Sequence, residues 1–187
     1  MSLVVALAAS SAFAATDSYT TRGDHAHVSS IVDSGDGCTY SILTIEVYQG
    51  MTMGGGTPTS SLSGYGWWDT YNSCDGTFVC SDGTFTSLAL STTSSSAHLT
   101  ATVALTEWFT GDSLGSMDVD LTLTGDGTAY RGISNTSATF GGGMIRSRQV
   151  GTFYNGTASG TAHGATISSA YASWGTSTSG TVSKYTW

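Results

Sequence analysis

The chain has 187 residues, which is enough for one domain with a single hydrophobic core. Charged residues make up only 10% of it, while serine and threonine together number 61 and glycine 25. Thirteen acidic side chains against five basic ones give a net charge of −8, which repels phosphate backbones and argues against a nucleic-acid partner. Because 39% of the residues are hydrophobic, we expect a folded protein rather than a disordered one.

The chain begins with an apolar segment, MSLVVALAASSAFAA. Its Ala12-Phe13-Ala14 end has the small-x-small pattern of a secretory cleavage site, although no Lys or Arg precedes the apolar run. We therefore expect residues 1–15 to be a signal peptide or a retained apolar segment, and residues 16–187 to form the folded domain. No stretch reaches the roughly 20 apolar residues of a membrane-spanning helix. The prediction is a secreted protein without a membrane span.

The first two predicted strands flank a turn at DSGDG, with HAHVSSIV before it and CTYSILTIEVYQ after it. In the second strand Leu43, Ile45 and Val47 alternate with polar residues, which places them on one face. Residues 50–64 are rich in glycine, serine and threonine. We expect a long flexible loop there.

Two later segments, HLTATVALTEW and SMDVDLTLT, alternate clearly between apolar and polar residues. This patterning predicts antiparallel strands that are covered on one side only. The apolar residues that share a face are Leu99, Ala101, Val103 and Leu105 in the first segment, and Met117, Val119, Leu121 and Leu123 in the second.

Turn signals separate most of the predicted strands. Asp-Gly and Asn-Gly pairs favour hairpin turns because their residues readily take positive φ angles. Such pairs begin at Asp36, Asp75, Asp82, Asp126 and Asn155. Residues 151–187 have few large side chains, and we expect the register of their strands to be weakly specified.

Short strands with turn signals between them predict an all-β, single-domain antiparallel β-sandwich, of the jelly-roll or Ig-like kind. A closed β-barrel is the alternative. Uneven strand lengths and the expected loop at residues 50–64 favour the sandwich over the barrel.

Three cysteines, Cys38, Cys74 and Cys80, leave one thiol over when a single disulfide forms. Cys74 and Cys80 are close enough in sequence to pair locally, and this is the first expectation. A tight turn at Asp75 would instead place Cys74 opposite Thr77, in which case Cys38 is the partner of one of the other two.

His25 and His27 are two residues apart and would project from the same face of a strand. Such a pair can hold zinc or copper when a third ligand comes from a neighbouring strand. The sequence names no third ligand, so exposed histidines without a metal are expected. We predict no cofactor.

The aromatic stretch GYGWWDTY is the strongest candidate for a binding site. Adjacent strand residues face opposite ways, so at most one of Trp67 and Trp68 can enter the core. The other, with Tyr65 or Tyr71, either stacks on a sugar ring or covers the end of the sandwich.

Catalytic signatures are lacking in the sequence. Glycoside hydrolysis usually needs two carboxylates, and the only glutamates are Glu46 and Glu107. No Gly-x-Ser-x-Gly elbow for a serine nucleophile occurs. We therefore do not expect an enzyme.

The composition favours a secreted structural or adhesive protein at the cell surface. Lysine and proline on edge strands discourage edge-to-edge pairing, and the chain has only one of each. We therefore expect self-association through strand edges, and filaments built by strand donation from residues 3–20 or 182–187. A carbohydrate-binding module that uses the exposed aromatics is the alternative. An unrecognised secreted hydrolase is third.

Overall fold

A computed structural model describes residues 14–54 and 58–186 of the chain. No helix occurs in this part of the chain, and so none there is long and apolar enough to cross a membrane. The strands are β1 (Ala14–Asp33), β2 (Thr39–Met53), β3 (Thr59–Asn72), β4 (Phe78–Val79), β5 (Ser81–Thr92), β6 (Ser96–Glu107), β7 (Ser113–Phe140), β8 (Gly143–Ala162) and β9 (Ala165–Thr186).

All nine strands belong to one antiparallel sheet, in the order β4-β3-β2-β1-β9-β8-β7-β6-β5. The predicted all-β class and sandwich-like antiparallel architecture are confirmed, and the sheet is not closed. Each hydrogen-bonded pair joins strands that are consecutive in sequence, apart from β1 with β9. The described strands thus form an up-and-down arrangement without the crossovers of a jelly-roll or Ig-like fold.

The sheet bends until its β5 end packs against β3. Side-chain hydrogen bonds join the two strands at this seam, because the backbone N–H of Trp68 donates to Ser81 Oγ (2.7 Å) and that of Ser81 donates to Asp69 Oδ1 (2.8 Å). Gly83 lies so close to the carbonyl oxygen of Gly66 that a Cβ at position 83 would collide with it. The two halves of the bent sheet enclose the core.

The core confirms the predicted alternation. Leu43, Ile45 and Val47 of β2 are fully buried, and the predicted apolar faces of β6 and β7 are buried as well. We call the side of the sheet that carries these residues the inner face and the opposite side the outer face. Trp174 of β9 lies on the inner face and is 0% exposed.

Three of the five predicted turns were wrong, because the pairs at Asp82, Asp126 and Asn155 lie within strands. Asp82 lies in β5 and Asn155 lies in β8. The glycines after them allow close backbone approach rather than a turn, since a Cβ at Gly156 would collide with the Thr124 carbonyl, as one at Gly83 would with that of Gly66. The pairs at Asp36 and Asp75 do lie in turns between strands, and the pair at Asp126 lies in an irregularity of β7.

The long loop expected at residues 50–64 is also wrong. Strand β2 continues to Met53, and β3 begins at Thr59. The two strands remain paired up to Thr52 and Thr59. Most of the glycine- and serine-rich stretch is therefore strand, and its pairing with β2 outweighs its low strand propensity.

The disulfide joins Cys38 to Cys74, so the first-choice pairing of Cys74 with Cys80 is wrong. The turn after β3 explains this, because Asn72 N donates to Thr77 O (2.9 Å) and leaves Cys74 at the tip of the turn. The β1–β2 turn lies beside that tip, and Ser73 N donates to Cys38 O (2.9 Å). Cys80 is a free thiol whose pKa is raised by burial.

Six strands continue past the sandwich as a single-layer sheet, which we call the extension. On β7, residues 128–139 are exposed except for the half-buried Gly132, so side chains on both faces meet solvent. The residues of the extension are 18–24 of β1, 49–53 of β2, 59–63 of β3, 129–139 of β7, 143–153 of β8 and 175–184 of β9.

Candidate functional site

A row of rings crosses the outer face where the extension meets the sandwich. Residues opposite each other on neighbouring strands point to the same face. The row runs from Tyr130 through Phe153, Gly175 and His25 to Tyr48. The rings of Tyr130 and Phe153 are stacked with their centroids 5.0 Å apart, and those of Phe153 and His25 lie 4.8 Å apart.

Glycines in the next row allow two of these rings to lie flat on the sheet. A Cβ on Gly151 would come within 2.5 Å of a ring carbon of Phe153. A Cβ on Gly23 would lie 2.7 Å from Cζ of Tyr48, and Gly50, the partner of Gly23, lies under the same ring. Larger side chains at these positions would lift the rings off the backbone.

An open cleft of about 460 Å³ lies among these rings. Aromatic surface is supplied by Phe153, Tyr48 and Tyr65. Polar groups reach the same space from five strands, and they belong to His25, Glu46, Ser63, Gln149 and Ser177. The cleft thus combines flat apolar rings with hydrogen-bonding groups of both kinds, which is the usual make-up of a small-molecule site.

Glu46 supplies the carboxylate of the cleft. The hydroxyl of Tyr65 donates a hydrogen bond to it, and His27 Nδ1 lies 3.8 Å from its Oε2. The bond to Glu46 raises the pKa of Tyr65, and burial raises the pKa of Tyr48, so both hydroxyls remain protonated donors at neutral pH. Burial lowers the pKa of His25, whose imidazole is therefore neutral at pH 7.

The four aromatic residues that the sequence singled out on β3 divide between the two faces. Tyr65 and Trp67 share the outer face and are stacked, with centroids 4.7 Å apart. Trp68 is on the inner face and packs against the core, as expected for one of two adjacent tryptophans. Tyr71 lies further along the outer face, where its ring is 5.2 Å from that of Tyr40. Only Tyr65 among the four lines the cleft.

A second cleft of about 320 Å³ continues the aromatic surface beyond Trp67. Trp108 and Phe109, in the turn between β6 and β7, also line it and are 62% and 78% exposed. We call the whole surface the aromatic band. It consists of Tyr130, Phe153, His25, Tyr48, Tyr65, Trp67, Trp108 and Phe109.

The two histidines considered as metal ligands pack in different directions. The ring of His25 lies against Phe153, whereas that of His27 lies 6.1 Å from Tyr171. In residues 14–54 and 58–186, no three His, Cys, Asp or Glu side chains are grouped so that they could hold a metal ion. Glu46 is near His27, but no third ligand joins the pair.

The second glutamate has a local structural role. Glu107 accepts hydrogen bonds from the backbone N–H groups of Phe109 (3.0 Å) and Thr110 (2.5 Å). Bonds from Thr110 and Phe109 lower the pKa of Glu107, with those from Thr110 the larger cause. This carboxylate shapes the turn that presents Trp108, and it does not line the cleft around Glu46.

Sequence reasoning missed three residues of the cleft's ring row, Tyr48, Tyr130 and Phe153. A signal for them was present, since each ring is separated by one residue from a glycine on the same face. The pairs are Tyr48 with Gly50, Tyr130 with Gly132, Phe153 with Gly151 and, for the imidazole, His25 with Gly23.

Comparisons with known proteins identify no relative: no protein-family model, no curated protein and no solved structure matches the chain. The site must therefore be interpreted from its own chemistry.

Proposed function

We propose that the protein is a secreted adhesive component that holds carbohydrate on its aromatic band. The observation that carries this proposal is the flat seating of Phe153 and Tyr48 over glycines, with polar groups between them. Flat exposed rings stack on the C–H faces of sugars, and the neighbouring donors and acceptors pair with sugar hydroxyls. Secretion is supported by the cleavage-site pattern at residues 12–14 and by the disulfide, which is typical of oxidising compartments.

The length of the band favours a polymeric glycan over a single sugar. From Tyr130 on β7 to Tyr65 on β3 the band crosses six adjacent strands. At ~4.8 Å between strands, this is a distance of roughly 24 Å. Trp67 and the turn that holds Trp108 extend it further. The glycan would then run across the strands, from the edge of the extension toward the seam.

Replacing Trp67 or Phe153 with Ala should weaken binding to the glycan by about tenfold or more, since a stacked ring in the middle of an interface is a typical hot spot. The parent would first be tested for retention on cellulose, chitin, xylan and starch. Tyr40→Ala is the control, because Tyr40 is 36% exposed on the same face but lies eight residues from Tyr48, about 27 Å along β2.

Circular dichroism and thermal unfolding would show that each variant keeps its fold. Failure of the parent to bind any of the four polysaccharides would refute the proposal. Equal binding by the parent and by both ring variants would do the same.

Self-association is a second candidate function, and the edge of the extension favours it. Beyond Thr124, β7 pairs with β8 only, so residues 129–139 have an outer edge without a partner among the described strands. This edge has no Lys or Pro and a single Arg. Of the termini first expected to donate strands, residues 14–20 are paired with residues 180–186 instead, and residues 3–13 and 187 lie outside the described part of the chain. We therefore assign the proposed association to the β7 edge.

Proline substitution along this edge distinguishes association from folding. Adjacent residues of an edge strand direct their N–H groups alternately to the neighbouring strand and outward. Of Ser134→Pro and Asn135→Pro, one should therefore abolish association at little cost in stability, while the other breaks the ladder with β8. Sedimentation velocity and electron microscopy would show whether the parent and each variant associate. A parent that stays monomeric at high concentration would remove this candidate.

A further inference from the structure

All five basic residues of the chain lie on the inner face of the extension. On β9, residues 176, 178, 180, 182 and 184 alternate in step with the buried Trp174, which identifies their face. Each basic residue lies in the same cross-strand row as one of these β9 positions, and therefore on the same face. The cross-strand partners are Lys184 with Met144, Arg146 with Val182, Arg148 with Gly180, Arg22 with Thr178, and Arg131 with Thr152, which in turn pairs with Thr176.

The cations are spread evenly along the strands. Five successive rows of this face each hold one cation, beginning with Lys184 and ending with Arg131. Rows on one face are two residues apart, or about 6.8 Å, so the five rows extend over about 27 Å. They occupy four neighbouring strands, β7, β8, β9 and β1. We call this surface the cationic strip.

Two adjoining troughs run along the strip. The first, of about 440 Å³, lies by Arg22 and Arg131 and is lined by Thr152, Thr176 and Thr178. The second, of about 350 Å³, has Arg146, Arg148, Asn135, Gly180 and Val182 in its lining. Thr178 and Gly180 are neighbours on the same face of β9, so the troughs form one groove along that strand. Mostly small and hydroxyl-bearing side chains line it between the cations, together with Val150 and the half-buried ring of Tyr154 at the sandwich end.

The strip contrasts with the charge of the whole molecule. The chain carries a net charge of −8, yet among the described side chains of this face Asp24 is the only carboxylate. Asp24 lies at the sandwich end of the strip and accepts a hydrogen bond from the hydroxyl of Thr176 (2.7 Å). A positive strip on an acidic protein is complementary to an anionic partner.

The shape and composition of the strip select among anionic partners. Two copies of the chain would repel each other if these faces met. Single-stranded nucleic acid is usually held by exposed rings that stack on its bases, and here the exposed rings of the extension are on the outer face. A long, narrow groove with hydroxyl groups along its floor fits an extended chain that carries regularly spaced anionic groups and hydroxyls.

We propose that the cationic strip binds a linear acidic polysaccharide, one that carries carboxylate or sulfate groups, along the axis of β9. This surface is separate from the aromatic band and lies on the opposite face of the sheet. Arg22, Arg146 and Arg148 make the principal charge-assisted hydrogen bonds, and arginine suits bidentate pairing with such groups.

Titration with heparin as the probe, followed by calorimetry at several salt concentrations, tests this inference. The double variant R146Q/R148Q should bind heparin about tenfold more weakly or worse. Because the salt dependence of binding reflects the number of ion contacts, removing two of five cations should reduce its slope by about two-fifths. The control S116E/T122E changes the net charge by the same amount, to −10 from −8, at exposed positions of β7 outside the extension. It should retain parental affinity within about threefold.

Three results would overturn the inference. The first is failure of the parent protein to bind heparin at low salt. The control variant could lose as much affinity as R146Q/R148Q, which would indicate a response to net charge alone. Finally, a thymidine oligonucleotide or vesicles containing an anionic phospholipid could bind as tightly as heparin with the same sensitivity to R146Q/R148Q, which would assign the strip to another class of partner.

Discussion

Replacing Trp174 with Ala is expected to destabilise the fold by about 3–5 kcal/mol, the range typical for removing a large buried ring. Trp174 is 0% exposed and lies at the point where the core ends and the extension begins. Its Nε1–H donates to the carbonyl of Thr93 (2.9 Å), which ties β9 to the turn between β5 and β6. The variant would lose buried apolar surface, leave a cavity and remove this hydrogen bond. The midpoint of urea unfolding measures the loss.

Two further substitutions separate these contributions. Trp174→Phe keeps most of the ring and removes the indole hydrogen bond, so it should cost about 1 kcal/mol for the bond plus a smaller packing loss. Trp108→Ala removes a ring that is 62% exposed and should change stability by less than about 0.5 kcal/mol. An unfolding midpoint for Trp174→Ala equal to that of the parent would contradict the position given to this side chain.

Loss of the Cys38–Cys74 disulfide is expected to lower stability by about 4 kcal/mol on the chain-entropy model, given a sequence separation of 36 residues. The bond joins the β1–β2 turn to the turn after β3. Without it, the unfolded chain gains conformational entropy, which lowers the free energy of unfolding. The double variant C38S/C74S would show the change in urea unfolding. Cys80→Ser is the matched control and should have a small effect, since its thiol makes no disulfide.

The connectivity can be checked independently by alkylation of the unreduced, denatured protein. A single modified cysteine is expected, and peptide mapping should identify it as Cys80. Modification of Cys38 with Cys80 protected would show that Cys74 pairs with Cys80 and would contradict the structure.

The core could be predicted from the sequence because its signal is local. Alternation in β2, β6 and β7 depends only on which side of a strand each residue lies, and it identified residues such as Ile45, Val103 and Leu121 correctly. The same rule divided Trp67 from Trp68. These inferences need no knowledge of which strands are neighbours.

Features that depend on strand neighbours could not be derived in this way. In sequence, the glycines at positions 83 and 156 resemble turn residues. In the structure, the backbone of another strand lies against each of them and leaves no room for a Cβ. Likewise, Phe153 and Tyr48 are more than a hundred residues apart and line one cleft only because β8, β9, β1 and β2 are adjacent in the sheet. The pairing of β1 with β9 is the step that the sequence did not reveal.

Residues 151–187 are expected to have a weakly specified register, but the described ones, up to Thr186, have a defined register in the sheet. Small side chains along β8 and β9 do little to select a register. However, Ile167, Ala172 and Trp174 are buried, and a slip by one residue would move all three to the outer face. The few core residues of β9 therefore fix the alignment of its long serine- and threonine-rich continuation.

The continuity of the strands through the extension has a mechanical consequence. β1, β7, β8 and β9 run without a chain break from the far end of the extension into the sandwich. A pulling force applied at that far end acts along the strands, at right angles to the hydrogen bonds between them. Many bonds must then yield together rather than one after another, as they would if the sheet were peeled from an edge. An extension without a core of its own can in this way transmit tension to the buried part of the molecule.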